Sequence, residues 1–117
     1  MKGDDLRERT KKYALRIIHL FRKLPKTAEA QVIGRELIRS GTSVGAHFRE
    51  GYRARSKAEF ISKMTGGLQE LDESSYWIEL LIESNIVSEP KLLPLLNETN
   101  ELIAIFTSIV KSQKTSS

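Results

Sequence analysis

Cysteine is absent from this 117-residue chain, which removes disulfide bridges, a thiol nucleophile and thiolate metal sites at one stroke. A reducing compartment suits such a sequence. No apolar run approaches the roughly 18 residues of a membrane span. The N-terminus alternates charges (Lys2, Asp4, Asp5, Arg7, Glu8, Arg9) where a secretory signal needs an apolar core. The expectation is a cytoplasmic protein without a membrane segment. Low-complexity bias is also missing, so disorder is expected only at residues 3–5 and 111–117. Proline is scarce, and Pro25, Pro90 and Pro94 all fall where helices are expected to end or begin.

What is present is charge of both signs, unevenly placed. Of the 19 basic residues 16 lie at or before Lys63, against only 7 of the 15 acidic ones. The first part of the chain is therefore basic and the remainder acidic. Such asymmetry fits either a nucleic-acid surface or two parts that pair with each other, within or between subunits.

Apolar residues recur at helical spacing throughout, and a chain of this length is one domain. Leu6, Tyr13, Ile17, Leu20, Phe21 and Leu24 define a helix over about 5–24, which Pro25 stops. Thr27 is an N-cap for a second helix over about 27–54, with Ile33, Leu37, Val44 and Phe48 on its inner face. Ser56-Lys57-Ala58-Glu59 reads as a capping box and starts a third helix over about 57–85. There Phe60, Met64, Gly67, Leu71, Ser74, Ile78 and Leu81 alternate in steps of four and three, a bundle seam with small residues where a partner helix comes close. Ser88 caps a fourth helix over about 89–112, in which Pro94 marks either the true start or a kink. Four amphipathic helices with short connections make an all-α, antiparallel up-down-up-down bundle.

Two features exceed what a lone bundle needs. Around the third helix Tyr76, Trp77, Ile78, Leu80, Leu81 and Ile82 leave only a narrow polar strip at Glu79 and Glu83. A helix apolar nearly all round is buried all round, so Tyr76, Trp77, Leu80 and Leu81 are candidates for a subunit interface; alternatively Tyr76 and Trp77 cover the end of the bundle. On the second helix Arg35, Arg39, Arg49 and Arg53 share the face turned away from the apolar stripe, and Arg55 and Lys57 extend it. Guanidinium forks suit phosphate oxygens and stack on unpaired bases. These six residues form the candidate nucleic-acid surface. The competing reading pairs Arg39 and Arg53 with Glu36 and Glu50, and the rest with a neighbouring subunit's acidic third helix.

The segments Arg39-Ser40-Gly41-Thr42-Ser43-Val44-Gly45-Ala46-His47, Glu50-Gly51, Arg53-Ala54-Arg55-Ser56-Lys57-Ala58-Glu59-Phe60 and Glu70-Leu71-Asp72-Glu73-Ser74 resemble the bacterial four-helix-bundle family. Its members are also called 23S rRNA intervening-sequence proteins, and nearly the whole chain fits. A more distant similarity is to the accessory protein of diversity-generating retroelements, a basic pentamer that engages a reverse transcriptase and nucleic acid. The resemblance implies a ring-like homo-oligomer, most simply a homopentamer, and raises RNA or a nucleoprotein complex as a partner. His47 stands where the family leads one to expect asparagine.

Catalytic chemistry finds little support. His47 and Glu50 are three apart, but no Glu-x-x-His motif of the di-iron bundles occurs. His19 has no serine or aspartate at a diagnostic spacing and reads as a partly buried structural histidine. Gly41 to Gly45 lacks the Gly-Lys-Ser/Thr ending of a phosphate loop. Glu70, Asp72, Glu73, Glu79 and Glu83 read as an acidic face. The expectation is a non-enzymatic, oligomeric scaffold or accessory protein without cofactor, metal or small-molecule substrate. Its alternative is an interaction module whose charges serve only subunit assembly.

Overall fold

The computed structural model describes residues 2–115, in four helices: α1 (Lys2–Lys23), α2 (Ala28–Tyr52), α3 (Lys57–Glu83) and α4 (Glu89–Thr115). The starts of α2 and α3 follow from their caps. Thr27 and Ser56 sit in extended backbone, and their hydroxyls accept from the N–H groups of Ala30 and Glu59. Such a cap satisfies an otherwise orphaned donor of the first turn. At the end of α3, Asn85 adopts a left-handed φ of 63° and Val87 N–H reaches back to Leu81 O at 3.1 Å. Asparagine tolerates that conformation better than most residues.

Three expectations about ends need correction. Residues 3–5 do not fray: they belong to α1, where Gly3 is buried and the Tyr52 ring occupies the space a side chain would need. At the other end α4 continues to Thr115, leaving Ser116 and Ser117 outside the described residues. Pro94 does not begin α4, which starts at Glu89 with a Lys91 N–H to Ser88 O bond of 3.1 Å and carries Pro94 inside it. Proline at the sixth residue of α4 supplies no N–H to the Pro90 carbonyl, yet the helix continues past it to Thr115.

The helices pack in chain order, α1 on α2, α2 on α3 and α3 on α4, and a thinner α1–α4 seam closes the bundle. Each neighbour runs antiparallel: Gly3 meets Tyr52 and Gly34 meets Leu24 across α1–α2, while Ser40 and Glu50 meet Ser74 and Lys63 across α2–α3. The result is an elongated bundle of 50 × 22 × 19 Å. Its core holds Tyr13, Ile17, Leu37, Met64, Ile78 and Phe106, each at most 1% exposed. Among the described residues no helix is long and apolar enough to cross a membrane.

Glycine sets the spacing where helices touch. A Cβ on Gly45 would lie 3.2 Å from Thr10 Oγ1, and Ile17 fills the space over Gly41, so both mark the α1–α2 approach. Gly67 plays the same part on α3, beneath the Phe106 ring of α4. Two pairs of buried hydroxyls bond between helices: Ser40 and Ser74 at 2.8 Å, and Tyr13 OH with Thr99 Oγ1 at 2.6 Å. Burial pushes the Tyr13 phenol up to about 12, partly offset by hydrogen bonds to Thr99 and Ser74. Because the unfolded chain ionises this tyrosine first, near pH 10, stability is level below that pH and falls as pH rises toward 12. The expected loss across that window is about 2–3 kcal/mol. Tyr13→Phe should flatten that limb in urea titrations at successive pH values; an unchanged limb would assign it to other groups.

Candidate nucleic-acid interface and assembly face

The arginines of the second helix and its end differ in their surroundings. Arg39 lies opposite the middle of α3, where its guanidinium donates to Glu36 at 3.1 Å, to Glu70 at 3.3 Å and to Glu73. Glu36 first, and Glu70 with it, hold the guanidinium more basic than usual against the effect of burial. Two of the three carboxylates come from the chain's own α3, rather than from a neighbouring subunit. Arg39 thus already has three carboxylate partners within its own chain. Glu73 also accepts from Trp77 Nε1 at 3.3 Å, so one carboxylate ties α2 to the indole.

Beyond Arg39 the arginines stand differently. Arg35, Arg49, Arg53 and Arg55 have no carboxylate partner among the described residues. Arg35 is separated from Arg49 by roughly 21 Å of helix, at 1.5 Å per residue, and is not brought to the others. Arg49, Arg53 and Arg55 do converge, around a surface groove of about 490 Å³ shared with Lys63, Glu50 and Glu59. The Glu50 carboxylate takes Lys63 at 3.1 Å instead of the expected Arg53. Lys57, exposed, opens α3 two residues after Arg55.

A second groove of about 390 Å³ between α1 and α2 adjoins the first, with Arg49 in both and Lys11 on its other wall. Sequence reasoning missed Lys11 and Lys63. Their signal was the antiparallel register, since Thr10 against Gly45 places Lys11 near Arg49. The basic end of the bundle thus holds Lys11, Arg49, Arg53 and Arg55.

The apolar excess on α3 is smaller than it looked. Packed between α2 and α4, α3 spends residues on both flanks: Leu81 is fully buried in the chain's own core, and Ile82 packs against it. Leu81 therefore drops out of the interface candidates. Tyr76 remains 54% exposed, edge-on to the half-buried Trp77, and Leu80 is half-buried without joining the core. Val32 on α2 is exposed as well.

The histidines form no catalytic pair. His47 turns toward α3, with Nε2 3.9 Å from Glu70 and the ring over Gly66, whereas Glu50 faces Lys63. Its Nδ1 is buried without a hydrogen-bond partner. Among the described residues no three metal-ligating side chains cluster. His19, expected to be partly buried, is exposed on α1, where it lines an open groove between α1 and α4.

The sequence matches the 23S rRNA-intervening sequence protein family over residues 5–108. It is also similar to a solved protein of unknown function from the S23 ribosomal protein family, from Bacteroides thetaiotaomicron VPI-5482. The two are 33% identical with a TM-score of 0.88, over 95% of this chain and 99% of that one. No curated protein matches.

Proposed function

The chain belongs to the 23S rRNA-intervening sequence protein family, and from that premise we propose that it is a non-enzymatic, self-assembling cytoplasmic scaffold that holds RNA, alone or in a nucleoprotein, on the basic end of its bundle. The carrying observation is the groove where Arg49, Arg53 and Arg55 meet without a carboxylate of their own, continued onto α1 by Lys11. Unpaired guanidinium forks gathered at the end of α2 and the α2–α3 connection are suited to phosphate oxygens, and neutralising phosphates releases counterions, which drives association. Arg39, held by three carboxylates, takes no part.

Assembly belongs to the same proposal, as a ring-like homo-oligomer, with a pentamer the state implied by the family resemblance. It is favoured by Tyr76, Trp77 and Leu80, an apolar patch on a helix that otherwise has its neighbours. Repetition around a ring multiplies a modest basic site.

A gel-shift titration of structured RNA at low salt tests the binding. Micromolar or tighter affinity is expected for the wild type. Arg49→Ala/Arg53→Ala should weaken it at least tenfold, at about 1.4 kcal/mol per decade, while Arg39→Ala leaves it nearly unchanged. If the double variant binds like wild type, or the intact protein does not bind, the charges serve assembly alone.

A further inference from the structure

The α1–α4 seam is closed at one end of the bundle and open at the other. Toward the start of α1, Arg9 donates to Glu98 twice at 2.8 Å and to Glu101 at 2.9 Å, and Tyr13 meets Thr99. Past Tyr13 no such pair continues. Instead a groove of about 650 Å³ opens between the last turns of α1 and the first turns of α4, floored by the α3–α4 connection. Leu20, Val87 and Leu95 make its apolar part, and Arg16, Lys23 and Lys91 its polar rim. No acidic residue lines it, and these three cations have no carboxylate partner among the described residues.

The complement of that groove lies elsewhere on the same chain. With 100° per residue, Asp72, Tyr76, Glu79, Leu80 and Glu83 fall within an arc of about 100° on α3, opposite its buried seam. Asp72, Glu79 and Glu83 are exposed and meet no basic side chain among the described residues; Glu79 only accepts from Ser75 at 3.4 Å. Tyr76 and Leu80 stand among them. One surface is therefore an apolar trough with a cationic rim, the other an apolar ridge with an anionic border.

Resting on the assembly reading above, the geometry points to the α1–α4 groove as the socket for the outer face of α3 from a second copy of this chain. Within one protomer the two cannot meet, because the groove opens between α1 and α4 while the ridge points away from the core. The contact is thus heterologous, each copy offering its ridge to one neighbour and its groove to the other. Both surfaces also occupy the same end of the long axis, since the Ile86–Val87 connection that floors the groove directly follows the ridge. Matching heights let successive copies close into a ring instead of climbing into a filament.

Charge exchange tests this pairing on purified full-length protein by sedimentation velocity at low salt. Wild type should be oligomeric. Lys23→Glu/Lys91→Glu should raise the apparent dissociation constant at least roughly tenfold, as like charges face each other across the contact, and Glu79→Lys/Glu83→Lys should do the same. A chain carrying all four substitutions should reassemble to the wild-type mass, because each reversed groove again meets a reversed ridge. All four positions are exposed, and unchanged melting curves would show that the fold is kept. An oligomeric wild type whose paired variants both keep its mass would overturn the socket while leaving assembly intact. So would a quadruple variant that stays dissociated. A monomeric wild type would overturn the socket and the assembly reading together. Should a paired variant fail to fold, Tyr76→Ala/Leu80→Ala serves in its place, with dissociation expected and an unchanged mass counting against the socket.

Discussion

Gly67→Leu should lower the stability of the bundle by about 2–3 kcal/mol net, which for a domain of this size is roughly 8–12 °C in melting temperature. A Cβ at this position would lie 2.7 Å from Phe106 Cε2 and 3.5 Å from His47 Cβ. Phe106 cannot retreat cheaply, since it is fully buried and tilts against Phe48. Overpacking opposes a gain of about 1 kcal/mol from replacing a mid-helix glycine, and the clash is larger because leucine adds three further carbons to the same space. Gly45→Ala is the control. Its Cβ would meet Thr10 Oγ1 at 3.2 Å, a contact that a slight shift relieves, so propensity and crowding should cancel to within about 0.5 kcal/mol. Thermal melts of the two variants decide the matter: Gly67→Leu melting like wild type would mean that α3 and α4 have room to separate there.

The affinity for duplex RNA should fall about two-thousandfold between 50 and 200 mM salt. If two neighbouring protomers engage one duplex through Arg49, Arg53 and Arg55 each, about six phosphates are neutralised, and a slope near −0.9 per phosphate gives that loss. A protein held monomeric by substitutions in the α1–α4 groove would present half as many contacts and lose only about fortyfold over the same range. Measuring the logarithmic salt slope for both forms separates the multivalent site from simple attraction to a basic protein. A slope that is the same for assembled and monomeric protein would show that assembly adds no phosphate contacts.

What the residues determine locally could be read without a fold. Thr27 and Ser56 cap helices because their hydroxyls reach a backbone N–H three residues on, a relation internal to the sequence. Met64, Gly67, Leu71, Ser74, Ile78 and Leu81 form the buried seam of α3 because helical periodicity alone puts them on one face. The family-bearing run around Gly41 and Gly45 was likewise visible, and the α1–α2 packing supplies its physical reason.

Tertiary structure decided which charges are spent and which are left. Arg39 and Arg53 share a helix face, yet 31 and 34 residues separate Arg39 from Glu70 and Glu73, which satisfy it. Which carboxylates arrive depends on the stagger and rotation of α3 against α2, and those are set by side-chain packing along the whole seam, not by spacing within either helix. For the same reason Leu81 went inward while Tyr76 stayed out: an apolar surround on α3 answers to two flanking helices, and their positions exist only once the bundle has closed.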